Sequence, residues 1–511
     1  MNPLAIQVRS AGRADSSGAG VLAPPAAPRL GQRALTLGAA NAFDFAIQFL
    51  LPVVLVRCLD ATAFGEYRLL WLAAGTILAV ATLGMPQSIY YFLPRSDTGA
   101  KRLYLNQTLA FLVIAGLVAG WAVSAWNPWL PEKLAGLARH EAVVPAFILL
   151  WVVASLLDLL PAAEERVKWQ AKATVSLAVL RTVLLSLAAV LTRELGPVLL
   201  VLLAFVAFKA VLLLAYVARF HGWRGPVLRW RVLADQLRYA APLGAAGALY
   251  GLRTQADQWL VAALFPLAMF ASFSISAVLA PLMNLCRQSV NFAFLPVMSR
   301  RQAAGDVAGM LALNSRGNIM VGAIVFPLFA FAFVFAEDLV TLVYTAAYLD
   351  AAPVMRIYIV GIAALVIELS GITMLLRQSV FVVAVNAVAL PVAVALNWAG
   401  AVHIGLAGAA MGTVIVMYLD RAATLRRIAR LTGVAILRLQ DWTTLTLLAL
   451  FAILAALLAW GVAGRYHAAS GPLFAMLVGG ATLACAYVAM VMLSGRGRIW
   501  LAAVRSQQQG L

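Results

Sequence analysis

The chain has 511 residues, 64% hydrophobic and only 11% charged, whereas a soluble domain carries about 25% charged residues. Its formal net charge is +18. Three scattered cysteines (Cys58, Cys286, Cys485) without a CxxC pair indicate neither a disulfide framework nor a zinc site.

Residues 1–33 are rich in Ala, Gly, Ser and Pro and lack a sustained apolar core, which reads as a disordered cytoplasmic tail rather than a signal peptide. Fourteen apolar segments follow, at 34–56, 69–94, 104–126, 143–161, 173–192, 197–218, 240–265, 269–296, 318–340, 357–376, 378–399, 404–420, 443–463 and 471–493. A helix needs about 20 residues to cross a bilayer's hydrocarbon core. The strand alternation of a transmembrane barrel is absent. The expected fold class is therefore an all-α polytopic membrane protein.

Lys and Arg distribute unevenly over the connections. With a cytoplasmic N-terminus, 27 lie on the cytoplasmic side, 7 on the opposite side and four inside segments. That asymmetry follows the positive-inside rule. It explains most of the net charge without a nucleic-acid partner. Two basic stretches, 219–239 and 421–441, divide the chain into a first lobe (34–218), a second lobe (240–420) and a final pair (442–493), followed by a cytoplasmic tail (494–511). Gln87-Ser88 with Leu93-Pro94 in segment 2 recurs as Gln288-Ser289 with Leu295-Pro296 in segment 8. The two segments hold the same place in their six-span units. Parallel repeats of this kind are a transporter architecture.

Charges inside a membrane segment are costly and mark cavities or partners. Segment 1 places Asn41, Asp44 and Gln48 on one helical face, and segment 7 does the same with Tyr250, Arg253 and Asp257. Segment 8 adds Asn284, Arg287, Gln288 and Asn291, while Arg181, Lys209 and Glu368 stand in segments 5, 6 and 10. Arg253 and Asp257 are spaced for an i,i+4 ion pair. Asp158 and Arg356 sit at span ends and read as interfacial. Gly247 and Gly251 form a GxxxG that permits close helix approach. A mildly cationic interior lined by Arg181, Lys209, Arg253 and Arg287, with Asn41, Gln48, Asn284 and Asn291 beside them, suits an anionic, hydroxylated cargo such as a phosphate-linked sugar. Asp44, Asp257 and Glu368 are the candidates for ion coupling.

Leu55–Tyr67, Arg253–Val261, Phe294–Arg300, Ala347–Arg356 and Ile404–Ala410 together resemble, in order, motifs of the polysaccharide-flippase (Wzx-like) branch of the multidrug/oligosaccharidyl-lipid/polysaccharide exporter superfamily. The resemblance implies two pseudo-symmetric six-helix lobes around a central cavity, working by alternating access. It implies a bacterial inner-membrane flippase, both termini cytoplasmic, for undecaprenyl-pyrophosphate-linked oligosaccharide used in surface polysaccharide synthesis. Cavity arginines would engage the pyrophosphate, and segments 13 and 14 would form a groove for the lipid tail or simply pack against lipid. Polymerase or export machinery is a partner by the same implication; no cofactor or metal is implied. A drug or cation antiporter of the same superfamily is the alternative, and it requires acidic residues to dominate the interior. A membrane O-antigen ligase or polymerase is the distant one. It requires a long periplasmic loop with catalytic His and Arg, whereas the four His (His140, His221, His403, His467) are scattered.

Overall fold

The computed structural model describes residues 30–494 apart from 130–134, 141, 223–224 and 278. The expected tails lie almost wholly outside the described residues, and among those residues every regular element is helical. The first half holds α1 (Leu30–Cys58), α2 (Ala61–Ala81), α3 (Met85–Phe92), α4 (Thr98–Ala122), α5 (Ala135–Ala138), α6 (Val143–Ala154), α7 (Leu160–Ala163), α8 (Val167–Thr192) and α9 (Leu195–His221). The second holds α10 (Trp230–Leu264), α11 (Leu267–Ser276), α12 (Ala280–Ala303), α13 (Val307–Val334), α14 (Ala336–Val343), α15 (Ala351–Ala363), α16 (Ser370–Leu375), α17 (Ser379–Ile404) and α18 (Leu406–Thr432). After α19 (Ile436–Leu439), α20 (Trp442–Leu493) is divided by Gly471 (φ 79°) and Pro472 into the last two expected spans.

Eleven helices among the described residues are long and apolar enough to cross a membrane. Two shorter apolar helices, Phe49–Cys58 and Ala351–Val366, stand where the first and tenth segments are expected. The seventh and tenth segments differ from the apolar pattern for physical reasons. The polar stretch from Tyr250 to Gln258 dilutes the apolar run of α10. The tenth segment stops at Val366 because the helix breaks before Glu368 and restarts as α16.

Helix ends also differ from the apolar segments, because hydropathy marks the membrane while capping marks the helix. The Ala63 N–H donates to Asp60 Oδ1 at 2.8 Å, so α2 begins at Ala61 rather than near residue 69. Asp97, Asp306 and Asp441 cap α4, α13 and α20 in the same way. At other ends the helices run on into basic stretches. Only 222–229 separates α9 from α10, and α18 continues through Arg421 to Thr432. Arginine is a good helix former, so this continuation costs little.

Within the first bundle α1 packs on α8, α4 on α6, and α6 and α8 on α9. Within the second, α10 packs on α17, α15 and α17 on α18, α12 on α13, and α13 on α20. The bundles meet chiefly where α2 lies against α10 and α11. Near the α1–α2 turn, Arg57 donates to the carbonyls of Leu342 (2.5 Å) and Val343 (2.9 Å) at the C-terminus of α14. Arg68 donates to the Ser274 hydroxyl and carbonyl, both at 3.0 Å, near the end of α11. Cations suit the negative end of a helix. At mid-helix Thr76 donates to Gln255 Oε1 (2.5 Å) and accepts from Trp259 Nε1 (2.8 Å). At the opposite end buried Gln236 donates to Ser88 and Thr108, both at 2.9 Å, and the Tyr91 and Tyr239 rings stack with centroids 4.5 Å apart.

The backbones touch at that opposite end. Gly84, in the left-handed region at φ 72°, breaks segment 2 into α2 and α3. A Cβ on Gly84 would meet Ala240 O at 2.6 Å and Gly244 N at 2.8 Å; one on Gly244 would fall on Leu83 and Gly84. The expected GxxxG is only half used: Gly251 faces Ala79, while Gly247 has open space around it.

Candidate functional site

The residues expected to line one cationic cavity fall into separate groups, one in each bundle, and both contain acids that change the charge balance. In the second bundle, α10 presents Arg253, α12 presents Arg287, the break between α15 and α16 presents Glu368, and α18 presents Asp420 and Arg421. Arg287 Nη1 lies 2.7 Å from Glu368 Oε2. The contact is an ion pair rather than an aligned hydrogen bond, since Oε2 receives no N–H at bonding geometry. Arg253 Nη1 lies 3.4 Å from Asp420 Oδ2, and Arg421 Nη2 lies 4.0 Å from the same oxygen. Arg421 is within electrostatic range of all four other charges. Three guanidinium groups thus share two carboxylates. The i,i+4 pair of Arg253 with Asp257 does not form; Asp420, across the helix interface, replaces Asp257.

The two carboxylates are held differently. Glu368 is locked in place. Its N–H donates to Asn318 Oδ1 (3.1 Å), its carbonyl accepts from Asn314 Nδ2 (3.0 Å), and its Oε1 accepts the Ser370 N–H (2.7 Å) at the start of α16. Among the described residues, Asp420 has only the two long arginine contacts. The Nε atoms of Arg253 and Arg421 are buried and have no partner.

Asp257, 2% exposed, forms its own site one turn along α10 from Arg253. Its Oδ2 accepts from Tyr358 Oη (2.5 Å) and Thr413 Oγ1 (2.8 Å), and Oδ1 accepts the Gln258 N–H (2.7 Å). Thr413 Oγ1 also lies 3.3 Å from Asn397 Oδ1. Three neutral donors satisfy the carboxylate, and no Lys or Arg among the described residues makes an ion pair with it. Such a group can take up a proton or a small cation in exchange for a donor.

The first bundle encloses a polar pocket of about 240 Å³ whose lining includes Asp44, Asp158, Gln170, Thr174, Arg181 and Lys209. Lys209 Nζ donates to Asp158 Oδ2 at 2.8 Å, while the Asp158 carboxylate keeps its exposed span-end position. Arg356 keeps a span-end position, paired with Glu337 at 2.9 Å. The Arg181 guanidinium carbon lies 5.8 Å from the centroid of the Trp71 ring. Two cations and two acids leave this pocket without the cationic surplus expected of Arg181 and Lys209.

Of the uncharged candidates, Asn284 accepts from Arg287 Nη2 at 3.1 Å and belongs to the second-bundle cluster. Asn291 instead packs against Gly371 of α16. The side chains of Asn41 and Gln48 lie outside the described residues. Asp420, Arg421, Tyr358, Asn397 and Thr413 are functional candidates with weak signals in the sequence. The strongest of these is the Asp-Arg pair that straddles the end of an apolar segment. A separate apolar groove of about 400 Å³ lies between α13, α15, α18 and the first half of α20, with Phe326, Phe329, Phe333, Ile359, Tyr418 and Ile453 among its walls.

A two-bundle helical membrane protein with ionised pairs inside each bundle is a transporter architecture. Residues 54–353 match the family described as "Polysaccharide biosynthesis protein", and the chain belongs to that family. A search of curated proteins found no match. Among solved structures the fold is similar to a lipid II flippase MurJ in an inward closed conformation, at TM-score 0.67 and 11% identity, covering 91% of this chain and 100% of that one. It is similar to an inward-facing multidrug resistance MATE family transporter of the MOP superfamily, at TM-score 0.55 and 13% identity, covering 78% and 96% of the two chains. A Vibrio cholerae MATE transporter gives TM-score 0.55 at 12% identity, with 80% and 97% covered. These fold neighbours are transporters and flippases, not enzymes.

Proposed function

We propose that the protein is a bacterial inner-membrane flippase that carries undecaprenyl-pyrophosphate-linked oligosaccharide from the cytoplasmic to the periplasmic leaflet by alternating access, with both termini cytoplasmic. The observation that carries this reading is the three-arginine, two-carboxylate cluster in a member of a polysaccharide biosynthesis family. A surplus guanidinium with buried, unpartnered N–H groups recognises phosphate oxygens well. In this topology Arg287, Glu368 and Arg421 stand in the cytoplasmic half of their segments, at the level where a lipid headgroup enters from that leaflet. The apolar groove beside α20 suits the polyprenyl tail, and the N–H and O–H groups of Gln, Asn and Tyr suit the glycan. Asp257 is the coupling carboxylate, and its hydroxyl partners report its occupancy to α15 and α18.

The superfamily's drug antiporters offer a second reading, favoured by the balanced charge of the first-bundle pocket with Asp44. One assay separates the two. Purified protein in liposomes is given a lipid-linked oligosaccharide on one leaflet and, in parallel, a cationic dye. Protein-dependent transfer of the glycan lipid, with no dye movement, is the expected result. Asp257→Asn is expected to lower the transfer driven by a sodium or proton gradient at least about tenfold, while gradient-free exchange persists. Dye transport with proton release, and no movement of the glycan lipid, would contradict the proposal.

A further inference from the structure

We infer that Asp420 is a built-in stand-in for the substrate's pyrophosphate, occupying Arg253 and Arg421 in the empty carrier and yielding them when the headgroup binds. The inference rests on the flippase reading above and adds to it a residue pair and an exchange of partners.

The asymmetry of the two carboxylates supports it. Glu368 is fixed by Asn314, Asn318 and the Ser370 N–H, is 5% exposed, and sits 2.7 Å from Arg287. Glu368 is thus braced by its own helix break as well as by Arg287. Asp420 reaches Arg253 only at 3.4 Å and Arg421 only at 4.0 Å, and among the described residues no backbone N–H holds its carboxylate. Two guanidinium groups share its single Oδ2, and each keeps a buried Nε–H without an acceptor. A carboxylate has too few oxygens, too far away, to fill these donors. A pyrophosphate has more oxygens and more charge, and it can accept from both arginines side by side. Ion-pair exchange also serves the cycle. A carrier that returns empty must not leave two buried cations unpaired, because uncompensated buried charge is costly. Asp420 supplies the counter-charge for that step.

The test uses full-length protein in nanodiscs of phosphatidylethanolamine and phosphatidylglycerol, titrated with undecaprenyl pyrophosphate and, in a second arm, with inorganic pyrophosphate. Removing the competing anion by Asp420→Asn is expected to tighten undecaprenyl pyrophosphate binding roughly tenfold, while slowing turnover in liposomes. Arg421→Gln is expected to weaken binding, and Glu368→Gln is not expected to tighten it. Weaker inorganic pyrophosphate binding with the same ordering of variants assigns the site to a lipid headgroup; equal affinity for the two probes would overturn that assignment. If Asp420→Asn leaves affinity unchanged or weakens it while the wild type binds, the inference fails and the flippase reading stands. If the wild type does not bind, and Arg253→Gln makes no difference, the flippase reading fails first. If the Asp420 variant does not insert, carbodiimide labelling of the wild type decides. Added lipid pyrophosphate is expected to expose Asp420 to modification, and unchanged labelling would overturn the exchange.

Discussion

Cells whose only copy carries Arg253→Ala are expected to insert the protein at wild-type level and to export almost no polymer. Arg253 can be removed without stranding a carboxylate, because Asp420 keeps Arg421 as a neighbour at 4.0 Å. What is lost is a donor to the transported anion. A hydrogen bond to a charged group contributes about 1.5–3 kcal/mol, so flux should fall roughly ten- to hundredfold. Arg287→Ala should behave differently. It leaves Glu368, 5% exposed, without its ion-pair partner. Breaking a buried pair costs about 3–5 kcal/mol, so this variant should lose both export and thermal stability. The double variant Arg287→Ala with Glu368→Ala should recover stability but not export. Membrane protein level, melting of the purified protein and exported polymer are the three readouts. An Arg253 variant that exports normally would remove Arg253 from the substrate path.

Gly244→Leu is expected to stop transport for a mechanical reason. The close approach of α10 to the α2–α3 break leaves no room for a Cβ on Gly244: Gly84 N would lie 2.5 Å away. The obstructing atoms are backbone, so no rotamer change relieves the clash. Overpacking costs about 1–3 kcal/mol even for a small excess, and a leucine should hold the two bundles apart at this end. The protein should still fold, because each bundle packs through its own helices. A pair of cysteines replacing Ser88 and Gln236, whose side chains bond at 2.9 Å in this structure, should crosslink readily in the parent and poorly with Gly244→Leu. Full transport by the variant, or undiminished crosslinking, would show that this end need not close.

The membrane class and the two-bundle plan are legible in the sequence because hydropathy and charge asymmetry act over whole segments. Arg253, Asp257, Arg287 and Glu368 are legible too, since a charge within an apolar run is conspicuous. Their partners are not. Asp420 and Arg421 stand where hydropathy ends the twelfth segment and an arginine-rich stretch begins, so they read as loop, although α18 carries them inside the bundle. Asp158 is legible as a span-end residue, but nothing in one helix reveals that Lys209, on another, reaches it. Tyr358, Thr413 and Asn397 are ordinary residues of membrane helices, and only the packing of α10, α15, α17 and α18 gathers them around Asp257. Charge judged from one helix at a time therefore leaves out Asp158 and Asp420, which the fold brings beside Lys209 and Arg253.

Cells lacking the protein give the most direct measurement of the central claim. Lipid extracts of the deletion strain, with the leaflet of each lipid-linked glycan scored by accessibility to a membrane-impermeant reagent, should show finished repeat units accumulating on the cytoplasmic side, with surface polymer absent. Plasmid-borne wild type should clear them. Unchanged lipid-linked glycan and normal surface polymer in the deletion strain would contradict the flippase assignment.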